Sequence, residues 1–253
     1  MRAALAGCMA ALLAACAQHD VALQPGDEVV LAAANAGNPT AALDPRDGTR
    51  YIVWVETRDS LSDVYLSRGD AGQAVRVNDL PGDAAAHDQA PPQVAVGPDG
   101  TVYVVWQNNT HIPGRRFPAS NLRFARSTDG GHTFEPAIFV NDDALGLPSS
   151  HTFHDIAVAD DGAIYVSWID GRERARVEAE RKASGAAHGG HGGHASHGMH
   201  DPTLPGSEVR VARSTDGGRS FGANVVAAAD VCPCCRTSVV ADDRGRVFVS
   251  YRL

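Results

Sequence analysis

The sequence predicts an all-β fold made of repeated antiparallel hairpins, and three observations carry that expectation. One unit of strand, turn and strand recurs along the chain. A second, different unit comes after it. Gly 26 and Pro 14 supply more turn formers than an average chain carries. The first unit reads P-Q-V-A-V-G-P-D-G-T-V-Y-V-V-W at 92–106 and H-D-I-A-V-A-D-D-G-A-I-Y-V-S-W at 154–168. Looser copies are T-A-A-L-D-P-R-D-G-T-R-Y-I-V-W at 40–54 and T-S-V-V-A-D-D-R-G-R-V-F-V-S-Y at 237–251. Each is an apolar run, a turn holding Gly48, Gly100, Gly162 or Gly245, and an alternating run that ends in an aromatic, the pattern of a β-hairpin.

The second unit is L-R-F-A-R-S-T-D-G-G-H-T-F at 122–134 and V-R-V-A-R-S-T-D-G-G-R-S-F at 209–221, with a degenerate copy V-Y-L-S-R-G-D-A-G-Q-A-V at 64–75. It too is strand, tight turn, strand: Asp accepts backbone N–H bonds across the turn and Gly tolerates positive φ. Two hairpins make a four-stranded blade, so the chain reads as a β-propeller of antiparallel blades. Blades are expected at about 38–79, 91–142 and 153–228, and a partial one at 236–253, about 3.5 in all. The stretch 27–33 (DEVVLAA) is a candidate outer strand.

The pattern S-x-D-x-G-x-x-F occupies Ser127, Asp129, Gly131 and Phe134, and again Ser214, Asp216, Gly218 and Phe221. On these residues the chain, from about 38 to 253, resembles the Asp-box (BNR repeat) propellers of the sialidase-like superfamily. The resemblance implies six or seven blades, hence a chain truncated at its C-terminus; a small four-bladed ring that borrows N-terminal strands is the alternative. It also implies that inter-blade loops and the loops between strands two and three share one face, where propeller ligands bind.

Composition bounds the rest. The 253 residues are 43% hydrophobic and 21% charged, a globular balance rather than a disordered one. A net charge of −8 without a basic run argues against a nucleic-acid partner. No apolar run reaches the ~18 residues that a membrane span needs. The N-terminus, MRAALAGCMAALLAAC, reads as a signal peptide over 1–15, and Leu13-Ala14-Ala15-Cys16 resembles a bacterial lipobox. Lipidated Cys16, a tether to residue 26 and Ala17 rather than Asp at the next position imply an envelope lipoprotein of the outer membrane, anchored through its acyl chains. A plain secretory signal is the simpler alternative.

Unusual residues collect in the loops expected on the ligand face. These are His87; His111, Arg115 and Arg116; His151 and His154; a long insertion at about 172–206; and Cys232, Cys234 and Cys235 followed by Arg236. Within the insertion, His188, His191, His194, His197 and His200 recur every third residue, with Met199 among them. Imidazole and thioether suit copper, and three clustered thiols suit Cu(I) best by softness, with zinc the alternative ion. The five tract histidines, His151, His154 and the three cysteines are therefore candidate metal ligands. The simpler readings are a low-complexity spacer and a Cys232–Cys235 disulfide that leaves Cys234 free.

The family resemblance also implies sialidase chemistry: three arginines on a substrate carboxylate, a Tyr nucleophile with its Glu, and an Asp acid/base. This chain departs from that pattern. Where the family carries Phe/Tyr-Arg-Ile-Pro it has Gly37-Asn38-Pro39-Thr40, and Arg115-Arg116-Phe117-Pro118 is not that motif. Tyr51, Tyr103, Tyr165 and Tyr251 hold repeat positions and read as packing residues. Glu56 and Asp170 (like Asn108, two residues after a blade Trp), with Arg58, Arg172 and Arg236, are the remaining catalytic candidates. The sequence thus admits three functions: a binding propeller with a soft-metal site, an exo-α-sialidase, and an interaction scaffold for a glycan or an envelope protein.

Overall fold

Val102, Val104 and Trp106 point to one face of their strand, Tyr103 and Val105 to the other, and all five are buried. A strand with period-two side chains and no polar face must have a layer on each side. That arrangement recurs through the fold. The computed structural model describes residues 30–32, 35–69, 73–115, 117–185 and 203–253. Two units separate, Met1–Val30 and Leu31–Leu253, and the architecture is that of the second. The signal peptide, Cys16, the tether and most of the strand expected over 27–33 lie outside the described residues.

Three four-stranded antiparallel sheets follow one another, each in simple sequence order. The first is β1 (Ala36–Leu43), β2 (Arg50–Arg58), β3 (Leu61–Arg68) and β4 (Val75–Arg76). The second is β5 (Gln93–Val96), β6 (Val102–Thr110), β7 (Ala119–Ser127) and β8 (Ile138–Phe139). The third is β9 (His151–Val158), β10 (Ile164–Asp170), β11 (Ser207–Ser214) and β12 (Val225–Val231), and a two-stranded sheet, β13 (Ser238–Ala241) and β14 (Val247–Ser250), comes last. The first strands touch in succession, β1 to β5, β5 to β9 and β9 to β13, an arrangement consistent with a β-propeller.

Apolar layers hold the sheets together. Tyr51, Val53, Leu66 and Val77 of the first meet Val94, Val104 and Trp106 of the second. Tyr103, Val105, Leu122 and Phe124 of the second meet Ile156, Ile164, Val166 and Trp168 of the third. Each fully buried aliphatic or aromatic side chain contributes about 1.5–3 kcal/mol, so neighbouring sheets stabilise one another by stacking. Tyr51 and Tyr103 are buried packing residues.

The two S-x-D-x-G-x-x-F turns have matching bonds. Asp129 Oδ1 accepts the Ser127 hydroxyl (2.7 Å) and the backbone N–H groups of His132 (3.1 Å) and Thr133 (3.0 Å). Asp216 Oδ1 does the same for Ser214 (2.8 Å), Arg219 (2.9 Å) and Ser220 (3.1 Å). These bonds, led by those from the Thr133 and Ser220 hydroxyls, hold both carboxyls well below the usual carboxylate range. A depressed folded value means stability that is present above the unfolded value of about 3.9 and lost as pH falls through the folded one. The melting temperature should therefore drop below about pH 4, and a D129N/D216N chain should show a shallower drop. Parallel acid profiles for the two proteins would refute the link.

The second glycine of each turn faces the preceding blade. A Cβ on Gly131 would lie 3.0 Å from Leu66, and one on Gly218 would lie 2.8 Å from the Phe124 ring, with φ at +79°. Left-handed backbone costs a non-glycine residue roughly 1–2 kcal/mol and overpacking about 1–3 kcal/mol. Gly218→Ala should thus lose about 2–5 kcal/mol in a urea melt; a loss under about 1 kcal/mol would show that the ring moves aside freely.

Polar bonds that the sequence reading missed act both within and between sheets. Asn78 Oδ1 accepts the Val64 N–H (2.7 Å), and Asn141 Oδ1 accepts that of Leu122 (2.9 Å). The next residue reaches the following blade: Asp79 takes the Ala137 N–H (3.3 Å) and Asp142 that of Asn224 (2.9 Å). The signal was present, since Val-Asn-Asp stands at both 77–79 and 140–142.

The insertion after β10 is not all loop. Its start forms α1 (Arg172–Ala183), which has no buried residue. Strong helix formers fill it, and Arg174–Glu178 (3.0 Å) and Arg176–Glu173 (2.5 Å) are neighbours on its surface. Glu173 in the first turn and Arg181 and Lys182 in the last complement the helix dipole. The glycine-rich stretch begins only beyond this helix, and His188, His191, His194, His197 and His200 lie outside the described residues. No helix among the described residues is long and apolar enough to cross a membrane.

Candidate metal centre

One end of the third sheet gathers the site. Asp170 pairs with His151 on one side and Glu208 on the other, and Ser207 pairs with Val231, from which the chain runs directly into Cys232. The turn beyond Val231 is fastened on both sides. The Cys232 N–H donates to the Arg252 carbonyl (2.9 Å), and Thr237 donates to the Phe153 carbonyl through its N–H (3.2 Å) and hydroxyl (3.0 Å). Pro233 fixes one backbone angle between the first two cysteines.

These restraints bring three sulfurs together. Cys232 Sγ lies 3.0 Å from Cys234 Sγ and 3.4 Å from Cys235 Sγ. All three cysteines are free thiols, and Cys234 is exposed. Among the described residues this is the group of three whose ligand atoms lie within 4.8 Å of one another. Three thiolates at about 2.3 Å from one ion would stand roughly 4 Å apart in a trigonal plane, so the cluster fits such an ion after small side-chain rotations. Hydrogen bonding with Cys234 and Cys235 pushes the Cys232 thiol down to about 7, while that with Cys232 and Cys235 pushes Cys234 up to about 11. The Arg252 guanidinium, 3.8 Å from Cys235 Sγ, adds positive charge that favours thiolates. Arg252 had no sequence signal, because it joins the cluster only through packing of the segment after β14.

His151 and His154 do not join this cluster, a correction to the metal-ligand expectation. His151 is buried: Nδ1 meets the Ser120 carbonyl (2.6 Å), and Nε2 faces Asp143 (2.9 Å) and Asp170 (3.4 Å). His154 is wholly buried and pushed down to about 3, by burial first and then by the charge of Arg236. Both lie on the first strand of the third sheet, and both are buried there.

The catalytic candidates prove to be partners of one another. Glu56 accepts the indole N–H of Trp54 (3.1 Å) and bonds Arg58. Asp170 accepts that of Trp168 (2.8 Å) and binds Arg172 through its backbone N–H (2.9 Å) and Nε (3.0 Å). Arg172 also reaches Asp143 (3.1 Å) and Asn224 (2.9 Å). The spacing Trp-x-Glu/Asp-x-Arg at 54–58 and 168–172 thus makes the same set of contacts twice. In the second blade Asn108 and Arg123 converge on Asp83 instead (2.7 Å each). Glu56 and Asp170 are buried, whereas Arg236 is exposed.

The fold and site define a chain of stacked antiparallel sheets, consistent with a propeller-like fold, with a free-thiol cluster at the end of one sheet. No protein-family model matches the sequence, and no curated protein matches it. Among solved structures, it is similar to a protein of unknown function from Dyadobacter fermentans (14% identity, TM-score 0.49, covering 85% of this chain and 56% of that one). It is also similar to a Hadza microbial sialidase (16% identity, TM-score 0.41, 79% and 42% covered). A third is an alpha-L-arabinanase from Penicillium chrysogenum (11% identity, TM-score 0.46, 85% and 58% covered). The chain spans about half the length of these structures.

Proposed function

We propose that this chain is a binding module of the cell envelope, lipid-anchored through Cys16 at the outer membrane, whose Cys232, Cys234 and Cys235 hold a soft metal ion, copper(I). The observation that carries the reading is the approach of three free sulfurs around Cys232, at 3.0 and 3.4 Å. Soft thiolates select Cu(I) over harder ions, and a three-sulfur set that no fourth ligand joins among the described residues suits it better than zinc, whose structural sites are four-coordinate. The five histidines of the tract would act as a second, weaker imidazole store. A sialidase-type reading has less support, because Glu56, Asp170, Arg58 and Arg172 already bind one another.

Anaerobic titration tests the proposal. The full chain carrying C8S and C16S is reduced and titrated with Cu(I) against a competing chelator, beside a version with the five tract histidines changed to Ala. One tightly held Cu(I) per chain in both proteins supports the cysteine site. Binding that disappears with the histidines, or that is weak and of high stoichiometry, overturns it.

A further inference from the structure

We propose that Cys232 and Cys235 form a reversible dithiol–disulfide couple that switches the three-thiolate site off under oxidising conditions, with Cys234 as the spare thiol. The switch rests on the soft-metal reading for its consequence and on the sulfur geometry for its chemistry. Cys232 stands 3.4 Å from Cys235 and 3.0 Å from Cys234, whereas a disulfide needs about 2.05 Å. Closure of the Cys232–Cys235 pair therefore takes a movement of about 1.4 Å, and these side chains are only partly covered.

The pairing is set by ring size. Bonding Cys234 to Cys235 would join adjacent residues in a strained ring, and bonding Cys232 to Cys234 would close a small ring through Pro233, whose backbone is stiff. Cys232 to Cys235 encloses two residues, the spacing of redox-active dithiols. The geometry assigns the roles. Cys232 stands 3.0 Å from Cys234 and 3.4 Å from Cys235, so it is the attacking sulfur. Arg252 lies 3.8 Å from Cys235, the sulfur that resolves the intermediate.

The oxidant is a small-molecule disulfide, R–S–S–R. The Cys232 thiolate attacks one sulfur, forming Cys232–S–S–R and expelling RS⁻. Cys235, as thiolate, then attacks the Cys232 sulfur, forming the intramolecular disulfide and expelling the second RS⁻. Two protein thiols are oxidised and one small disulfide is reduced, and the two protons that leave the cysteines appear on two RSH. Two of the three metal ligands are consumed, so the ion leaves.

The full chain carrying C8S and C16S is equilibrated anaerobically with mixtures of reduced and oxidised glutathione. Free thiols are trapped with a maleimide and counted by mass, and Cu(I) capacity is read with a chromogenic chelator. The expected result is a fall from three trapped thiols to one, mapped to Cys234, with Cu(I) capacity falling from one per chain to none. Cys234→Ser should still form the disulfide, and Cys235→Ser should stop at the glutathione mixed disulfide. Three trapped thiols in every mixture would overturn the couple while leaving the metal site standing. A disulfide that leaves Cu(I) capacity unchanged would overturn the switch. A reduced protein that holds no Cu(I) would overturn the metal reading, and the switch with it, whether or not the disulfide forms.

Discussion

Replacing Cys232, Cys234 and Cys235 together by Ser is expected to weaken Cu(I) binding by more than about 100-fold, beyond the ~10–100-fold cost of disturbing only the outer shell of a metal site. The reason is chemical. A serine hydroxyl is a hard donor that keeps its proton at neutral pH, whereas a thiolate is soft and anionic. Among single changes Cys232→Ser should cost most, since its sulfur lies 3.0 and 3.4 Å from the other two. The substitutions sit in a partly exposed turn, so stability should stay within about 0.5 kcal/mol, and a melt separates lost ligands from lost fold. Unchanged affinity in the triple variant would place the copper elsewhere.

Asp170→Ala is expected to destabilise the chain by about 3–5 kcal/mol, the cost of removing one partner from a buried ion pair. Its side chain is fully buried and accepts bonds from the Trp168 indole, the Arg172 backbone and the Arg172 guanidinium. Without it the indole N–H loses its acceptor and Arg172 keeps only Asp142, Asp143 and Asn224. Those remaining acids place the loss towards the lower end of the range. Asp170→Asn keeps the shape and one acceptor and should cost less. Urea unfolding of the three proteins checks the order, and an Ala variant as stable as the parent would show that Asp170 is free for chemistry rather than engaged in structure.

Parts of this site were legible in the sequence. Three cysteines in four positions are adjacent whatever the fold, and a turn tight enough to join β12 to β13 keeps them so. The carboxylates two residues after the blade tryptophans were also visible as a repeat, but not their role. An acid near an arginine reads the same in a catalytic centre and in an ion pair until the depth of burial is known. His151 and His154 were misplaced for a related reason. Strand periodicity told which residues alternate, yet β9 carries a register shift opposite Ser167 and Ile169, and Phe153 there has φ +56°. That irregularity breaks the alternation on which a face assignment depends.

The sequence by itself determined the hairpins, their turns and the order of the strands, because these depend on period-two hydrophobicity and on hydrogen bonds spanning two to five residues. The Ser127–Asp129–Gly131 turn is complete within its own motif. Only the tertiary structure decided that Arg252 stands beside Cys235, that Asp142 meets Arg172, and that His151 meets Ser120. Those partners are 17, 30 and 31 positions apart. What brings them together is the stacking of one sheet on the next, driven by apolar area that no local motif encodes.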